Sequence, residues 1–119
     1  QLFPAYHASL DDRSLVTEKG LQGGFEIMRK ILEALEENAT FQCRVLCEPQ
    51  LGRRGLYPTL STRYSCTEQV DLMMDLLAYA DGTMTLLDEA EAVGADIFRC
   101  SAVMRQLEEQ GVVSHKALG

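Results

Sequence analysis

Residues 85–113, TLLDEAEAVGADIFRCSAVMRQLEEQGVV, decide the fold of this chain. Thr85 and Asp96 are residues that cap helices, and each stands directly before a stretch with helical apolar spacing. Gly94 lies between the two stretches and supplies the backbone freedom that a tight turn needs. The stretch therefore predicts, in order, a helix over 86–93, a turn, a helix over 97–110 and an extended segment from 111.

The spacing within this stretch matches the helix-turn-helix arrangement. Ala90 lies four residues before Gly94, and a small residue there lets two helices cross closely. The second helix then places apolar residues on one face, namely Cys100, Val103, Met104 and Leu107. Because the extended segment after it resembles the strand of a wing, the pattern predicts a small winged-helix domain over residues 67–119.

The first half of the chain predicts one long helix and one strand. Thr17 can cap a helix, and the apolar stripe that follows, opposite a charged face, predicts a helix over 18–37. Alternation over 41–47 predicts a strand. A lone strand cannot satisfy its backbone groups, so its partners must lie outside residues 1–66. We interpret 1–66 as the end of a larger α/β domain whose earlier strands precede this segment or belong to another chain.

The predicted fold class is therefore α+β: an α/β fragment over 1–66, with a loop over 48–66, and a mostly helical winged helix over 67–119. A length of 119 residues is short for a complete large enzyme, and a start at Gln1 without a signal peptide suggests part of a longer protein. Four cysteines are too few for a disulfide scaffold, and no apolar run nears the roughly 18 residues of a membrane span. We expect a cytoplasmic setting.

The distribution of charge bears on the kind of partner. The 18 acidic and 11 basic residues give a net charge of −7, and all of that excess falls in residues 67–119. DNA binding requires cations that neutralise phosphates, whereas the second helix with its cap Asp96 carries a net charge of −1. We therefore expect protein contacts through the winged helix, self-association among them, and no binding to nucleic acid or membranes.

One loop residue has the chemistry of a metal ligand. His7 lies in Tyr6-His-Ala-Ser-Leu-Asp11, ahead of the first helix. A neutral imidazole with a carboxylate that orients its second nitrogen binds zinc well. Spacing alone favours a surface or capping histidine beside solvated acids.

Three motifs together resemble one bacterial family. They are Tyr6-His-x-Ser-Leu-Asp11, Glu48-Pro-Gln-Leu-Gly-Arg-Arg-Gly-Leu-Tyr-Pro58, and Leu86-Leu-Asp-x-Ala-Glu91 after Ala80-Asp-Gly-Thr. Over nearly its whole length the chain resembles the C-terminal part of zinc-aminopeptidase-like proteins, of the co-catalytic zinc exopeptidase superfamily, with an appended winged helix. Ala8 stands where such proteins commonly have Thr.

The resemblance implies a zinc-dependent hydrolase of peptide or amide bonds. It assigns His7 as the last metal ligand in chain order and Asp11 as the residue that orients it. The family's other ligands and its general base precede this histidine, so we expect the chain alone to be inactive, without catalytic residues of its own, and to hold zinc weakly or not at all. The alternative is a non-catalytic winged-helix module that contacts other proteins.

The loop over 48–66 contains the remaining candidates. Arg53 and Arg54 present paired guanidinium groups, which suit a carboxylate or phosphate but are equally compatible with a solvated loop. Glu48 either lies near the substrate cleft of the full enzyme or pairs with one of these arginines. Both interpretations are open at this point.

Overall fold

The computed structural model describes residues 13, 16–47, 49–56 and 63–117. Its elements, in chain order, are α1 (Glu18–Glu36), β1 (Ala39–Cys43), α2 (Arg63–Tyr79), β2 (Asp81–Thr85), α3 (Leu86–Val93), α4 (Ile97–Glu109) and β3 (Val113–Ala117). The α+β class is confirmed over the described residues by four helices and one antiparallel sheet. The chain divides into two compact units, Gln1–Glu33 and Ala34–Gly119.

The first unit is dominated by α1, which forms where the apolar period predicts it. The hydroxyl of Thr17 accepts a hydrogen bond from the backbone N–H of Gly20, 3.1 Å away, and so caps the first turn. Arg29 and Glu33 pair across one turn on the polar face. The predicted helix over 18–37 is confirmed to within one residue at its end.

The second unit is built on a three-stranded antiparallel sheet of order β2-β1-β3. β1 pairs with β3 from Ala39 opposite Ala117 to Cys43 opposite Val113, and its pairing with β2 is interrupted by a bulge. The expectation that the strand near 41–47 finds its partners in missing strands or another chain is therefore wrong. Both of its neighbours lie later in this chain, and the strand ends at Cys43.

The predicted division after residue 66 falls inside this second unit. β1 lies before that position, yet it is the central strand of a sheet whose outer strands both lie after it. The helix α2 also begins at Arg63, within the stretch predicted as loop. Sequence separation hid this arrangement, because β1 is far along the chain from both strands that satisfy its backbone groups.

The helix-turn-helix segment forms through the caps that the sequence contains. Thr85 and Asp88 make a reciprocal capping box at the start of α3, with backbone-to-side-chain distances of 3.3 and 3.1 Å. Gly94 ends α3 in the left-handed conformation, with φ of 68°. Asp96 caps α4 by accepting hydrogen bonds from two backbone N–H groups, at 3.0 and 3.3 Å. Both predicted helices are confirmed.

The hydrophobic core of the second unit lies between the three helices and the sheet. Its most buried side chains come from every layer and include Met73, Leu76, Leu86, Met104, Leu107, Val112 and Val113. Leu51 and Leu56, from the segment predicted as loop, are also buried in this cluster. Burial of each such side chain contributes about 1.5–3 kcal/mol, so α4 is fixed in place and can present a defined outer face. Among the described helices none is both long and apolar enough to cross a bilayer.

Candidate functional site

The outer face of α4 is the candidate site, because the second helix of a helix-turn-helix is the element that meets a partner. We call the exposed side chains of this helix the α4 face: Phe98, Arg99, Ala102, Arg105, Gln106 and Glu109. The opposite side of the helix is buried in the core. The α4 face therefore contains two cations, one acid, one aromatic ring and two small or neutral side chains.

Arg105 is held by a carboxylate of the same chain. One guanidinium nitrogen of Arg105 donates to both carboxylate oxygens of Glu37, at 2.6 and 2.8 Å. The buried hydroxyl of Ser101 donates to the same carboxylate. Charge-assisted hydrogen bonds of this kind are stronger than neutral ones, so Glu37 orients Arg105 even though the side chain of Arg105 is 65% exposed.

Arg99, the second cation of the α4 face, lies 3.9 Å from Glu68 of α2. Both side chains are largely exposed, so this ion pair is weak. Next to it, the amide of Gln69 donates to the side-chain oxygen of Gln106 at 3.4 Å. A cavity of about 380 Å³ lies between α2 and α4, lined by Glu68, Gln69, Arg99, Ala102, Val103 and Gln106.

A second cavity of about 380 Å³, which we call the acidic cleft, borders the other side of α4. Its lining includes four glutamates, Glu36, Glu37, Glu108 and Glu109, together with Arg105 and His115, which contact Glu37 and Glu108. Glu108 accepts a hydrogen bond from the ring of His115 at 2.7 Å, and this contact holds the pKa of Glu108 below its ordinary value. Phe41 and Ala39 give the cleft an apolar portion. A partner that presents basic or aromatic groups suits this chemistry better than a phosphate does.

Glu89 is a candidate functional residue that no sequence motif indicated. It is completely buried on the inner side of α3, and neither of its carboxylate oxygens has a hydrogen-bond partner among the described residues. Burial, reinforced by the negative charges of Asp81 and Asp88, raises the pKa of Glu89 to about 7. Its spacing in the sequence does indicate burial, because Glu89 lies three residues after the buried Leu86 and four before Val93, on the same face of the helix.

The residues predicted from the sequence as a site are only partly within the described structure. His7, Asp11 and Glu48 lie outside the described residues. Arg53 is exposed, whereas Arg54 is half-buried and donates to the carbonyl of Pro49 at 3.0 Å and to the carbonyl of Gln110. Arg54 therefore braces its own loop against the end of α4, and anion binding by this pair stays a prediction. Within the described ranges, no group of three His, Cys, Asp or Glu side chains could hold a metal ion.

The elements around α4 correspond to a known family. A family model described as a winged helix-turn-helix matches residues 39–115, from the first residue of β1 into β3. This chain belongs to that winged helix-turn-helix family. The winged helix predicted from residues 85–113 is thereby confirmed, and its match includes the central strand β1, which precedes the predicted start at 67.

Two relatives place the winged helix in a larger context. A Clostridium acetobutylicum protein, provisionally named a polysaccharide biosynthesis protein with an aminopeptidase-like domain, is 30% identical over 98 residues, which are 82% of this chain and 23% of that protein. A crystal structure of a provisionally named peptidase from Clostridium acetobutylicum matches with a TM-score of 0.78 and 25% identity, over 96% of this chain and 24% of the other. The chain thus spans about a quarter of the length of each relative. The names of both agree with the family that the motifs resemble.

Proposed function

We propose that the winged helix makes protein contacts through the α4 face and the acidic cleft, and that the chain is the C-terminal segment of a zinc-dependent aminopeptidase-like hydrolase. The observation that carries the first part is the pairing of Arg105, a cation of the α4 face, with Glu37 of the same chain. The names of the two relatives and the motifs around His7 support the second part.

The pairing matters because DNA affinity depends on releasing counterions from phosphates with free Lys and Arg side chains. A phosphate bound by the remaining N–H groups of Arg105 would lie close to the Glu37 carboxylate, and the repulsion between these two negative charges would weaken the contact. The surroundings strengthen the argument, since residues 34–119 contain 13 acidic and seven basic side chains, a net charge of −6. A protein partner meets no such penalty and can place basic side chains in the acidic cleft.

In the hydrolase, His7 would be one metal ligand, Asp11 would orient its imidazole, and Glu48, Arg53 and Arg54 are candidate substrate or anion contacts. In the family that the motifs resemble, the other ligands and the general base precede this histidine, so they would come from polypeptide ahead of this segment. Bound zinc would supply an activated water and polarise the amide carbonyl. This segment alone would therefore be inactive.

Binding of duplex DNA tests the first part. Fluorescence anisotropy at roughly 50 mM salt should show no saturable binding at micromolar protein, because at such low salt any phosphate contacts would be strongest. A salt-sensitive micromolar complex that is weakened by Arg105→Ala but not by Arg44→Ala would refute the proposal. Arg44 is a suitable control because it is exposed, lies outside α4 and is not one of the candidate anion contacts.

Metal analysis tests the second part. We expect the longest native polypeptide that contains this segment to bind zinc and hydrolyse aminoacyl amides, and His7→Ala to lower both. His115→Ala is the matched control, since the ring of His115 already contacts Glu108. Unchanged zinc content in His7→Ala would remove the ligand role. Absence of zinc and activity in the wild type would leave the non-catalytic interaction module.

A further inference from the structure

Helix α1 has an apolar stripe that is open to solvent. The stripe consists of Leu21, Phe25, Met28, Leu32 and Leu35, with Ile27 and Ile31 beside them. The exposed fraction of these side chains runs from 50% at Ile31 to 68% at Phe25, and no residue of α1 is buried. Most of the stability of helices in proteins comes from packing of an amphipathic face, so an exposed stripe of this size indicates a surface that something covers.

The shape of the stripe favours a broad partner. Its central residues follow each other at alternating intervals of four and three, which alone would suit the narrow seam of a coiled coil. Ile27 and Ile31 widen it on one side well beyond that seam, so a single facing helix would leave them in water. The width is typical of a helix that packs on the surface of a domain.

The glycines of α1 also indicate that another part of a polypeptide packs against this helix. Gly20, Gly23 and Gly24 disfavour a helix, yet all three lie in unbroken helical structure. Gly24 lies on the side of the stripe, and a Cβ atom placed there or at Gly23 would meet nothing within 4 Å. Missing side chains at an exposed apolar face allow another backbone to approach α1 closely.

We propose that this stripe docks on the aminopeptidase-like domain of the same longer polypeptide, which makes α1 the last helix of that domain. This inference rests on the proposed function. The match to the crystal structure covers 96% of this chain, so it must include most of the 19-residue helix α1. The matched part is only 24% of the other protein. A counterpart of α1 therefore exists in a chain with about three times as much further polypeptide available to cover it.

Hydrogen exchange by mass spectrometry tests the docking. In the longest native polypeptide, the amides of α1 should exchange at least a hundredfold more slowly than in the 119-residue chain. Phe25→Asp in the stripe should remove most of this protection. Gln22→Asp is the control, because it introduces the same residue and charge at an exposed position beside Glu26, outside the stripe, and should leave protection unchanged. If Phe25→Asp prevents folding, Met28→Gln gives a milder test at the centre of the stripe.

Equal, concentration-independent protection of α1 in the short and long chains would overturn the proposal. The proposal would also fail if the short chain sediments as a dimer and the protection of its α1 rises with its concentration. A second copy of the chain would then be the partner. Zinc content separates this result from the proposed function. If α1 is protected and the protein holds no zinc, docking stands and the hydrolase is rejected. If α1 exchanges freely and zinc is lost only in His7→Ala, the hydrolase stands and docking is rejected.

Discussion

Glu89→Gln should change how the stability of the winged helix depends on pH. The native carboxyl has a pKa of about 7, against an ordinary value of 4.5, because it is buried and faces Asp81 and Asp88. Between these two pH values the native state binds more protons than the unfolded state, so the free energy of unfolding falls as pH rises. A shift of this size corresponds to about 3 kcal/mol, lost progressively between pH 4.5 and 7 and absent above that range.

Glutamine keeps the shape of the side chain and cannot ionise, so the variant should lack this decline. Urea titrations followed by far-UV circular dichroism between pH 5 and 8 would measure the difference. Glu91→Gln is the control, since Glu91 is exposed on the same helix and should leave the decline intact. If the profiles of unfolding free energy against pH coincide for wild type and Glu89→Gln, then Glu89 is not a buried carboxyl without a hydrogen-bond partner. Asp81 and Asp88 act in the opposite direction at lower pH. Hydrogen bonds from Thr83 and Thr85 lower their pKa values, so the stability that these carboxylates contribute is lost as pH falls.

Four further substitutions test the local structure by urea or thermal unfolding. Gly94→Ala should cost about 1–2 kcal/mol because φ is 68° there, whereas Gly23→Ala should stabilise α1 by up to about 1 kcal/mol. Leu107→Ala should cost about 2–5 kcal/mol in the core, and no loss relative to the exposed control Leu46→Ala would contradict the packing of α4. Asp96→Ala should cost about 0.5–2 kcal/mol through loss of the α4 cap, detectable as a lower midpoint with an unchanged urea dependence.

The helix-turn-helix could be predicted because its determinants are local. Thr85, Gly94 and Asp96 each act on backbone groups within a few residues, so capping rules suffice to place α3 and α4. The sheet could not be predicted in the same way. β2 has the sequence Asp-Gly-Thr-Met-Thr and shows little apolar alternation, and it gains its strand conformation from pairing with β1, some forty residues earlier.

The same distinction applies to the site. Net charge is a property of composition, and it correctly indicated an acidic winged helix. The pairing of Arg105 with Glu37 joins residues 68 positions apart, which no local pattern reveals. Glu89 occupies a buried position of its helix, but an acid at such a position ordinarily counts as a sign of exposure.

The pairing of Ala39 with Ala117 brings the first and last strands of the winged helix side by side. Its sheet can close only after residues 113–117 have been synthesised, because the central strand must wait for an edge strand about seventy residues later. The same adjacency makes this fold suitable for circular permutation. A two-residue turn from Ala117 to Ala39 would convert the closing pair into an ordinary hairpin, and new termini could then be opened at the fully exposed Leu46.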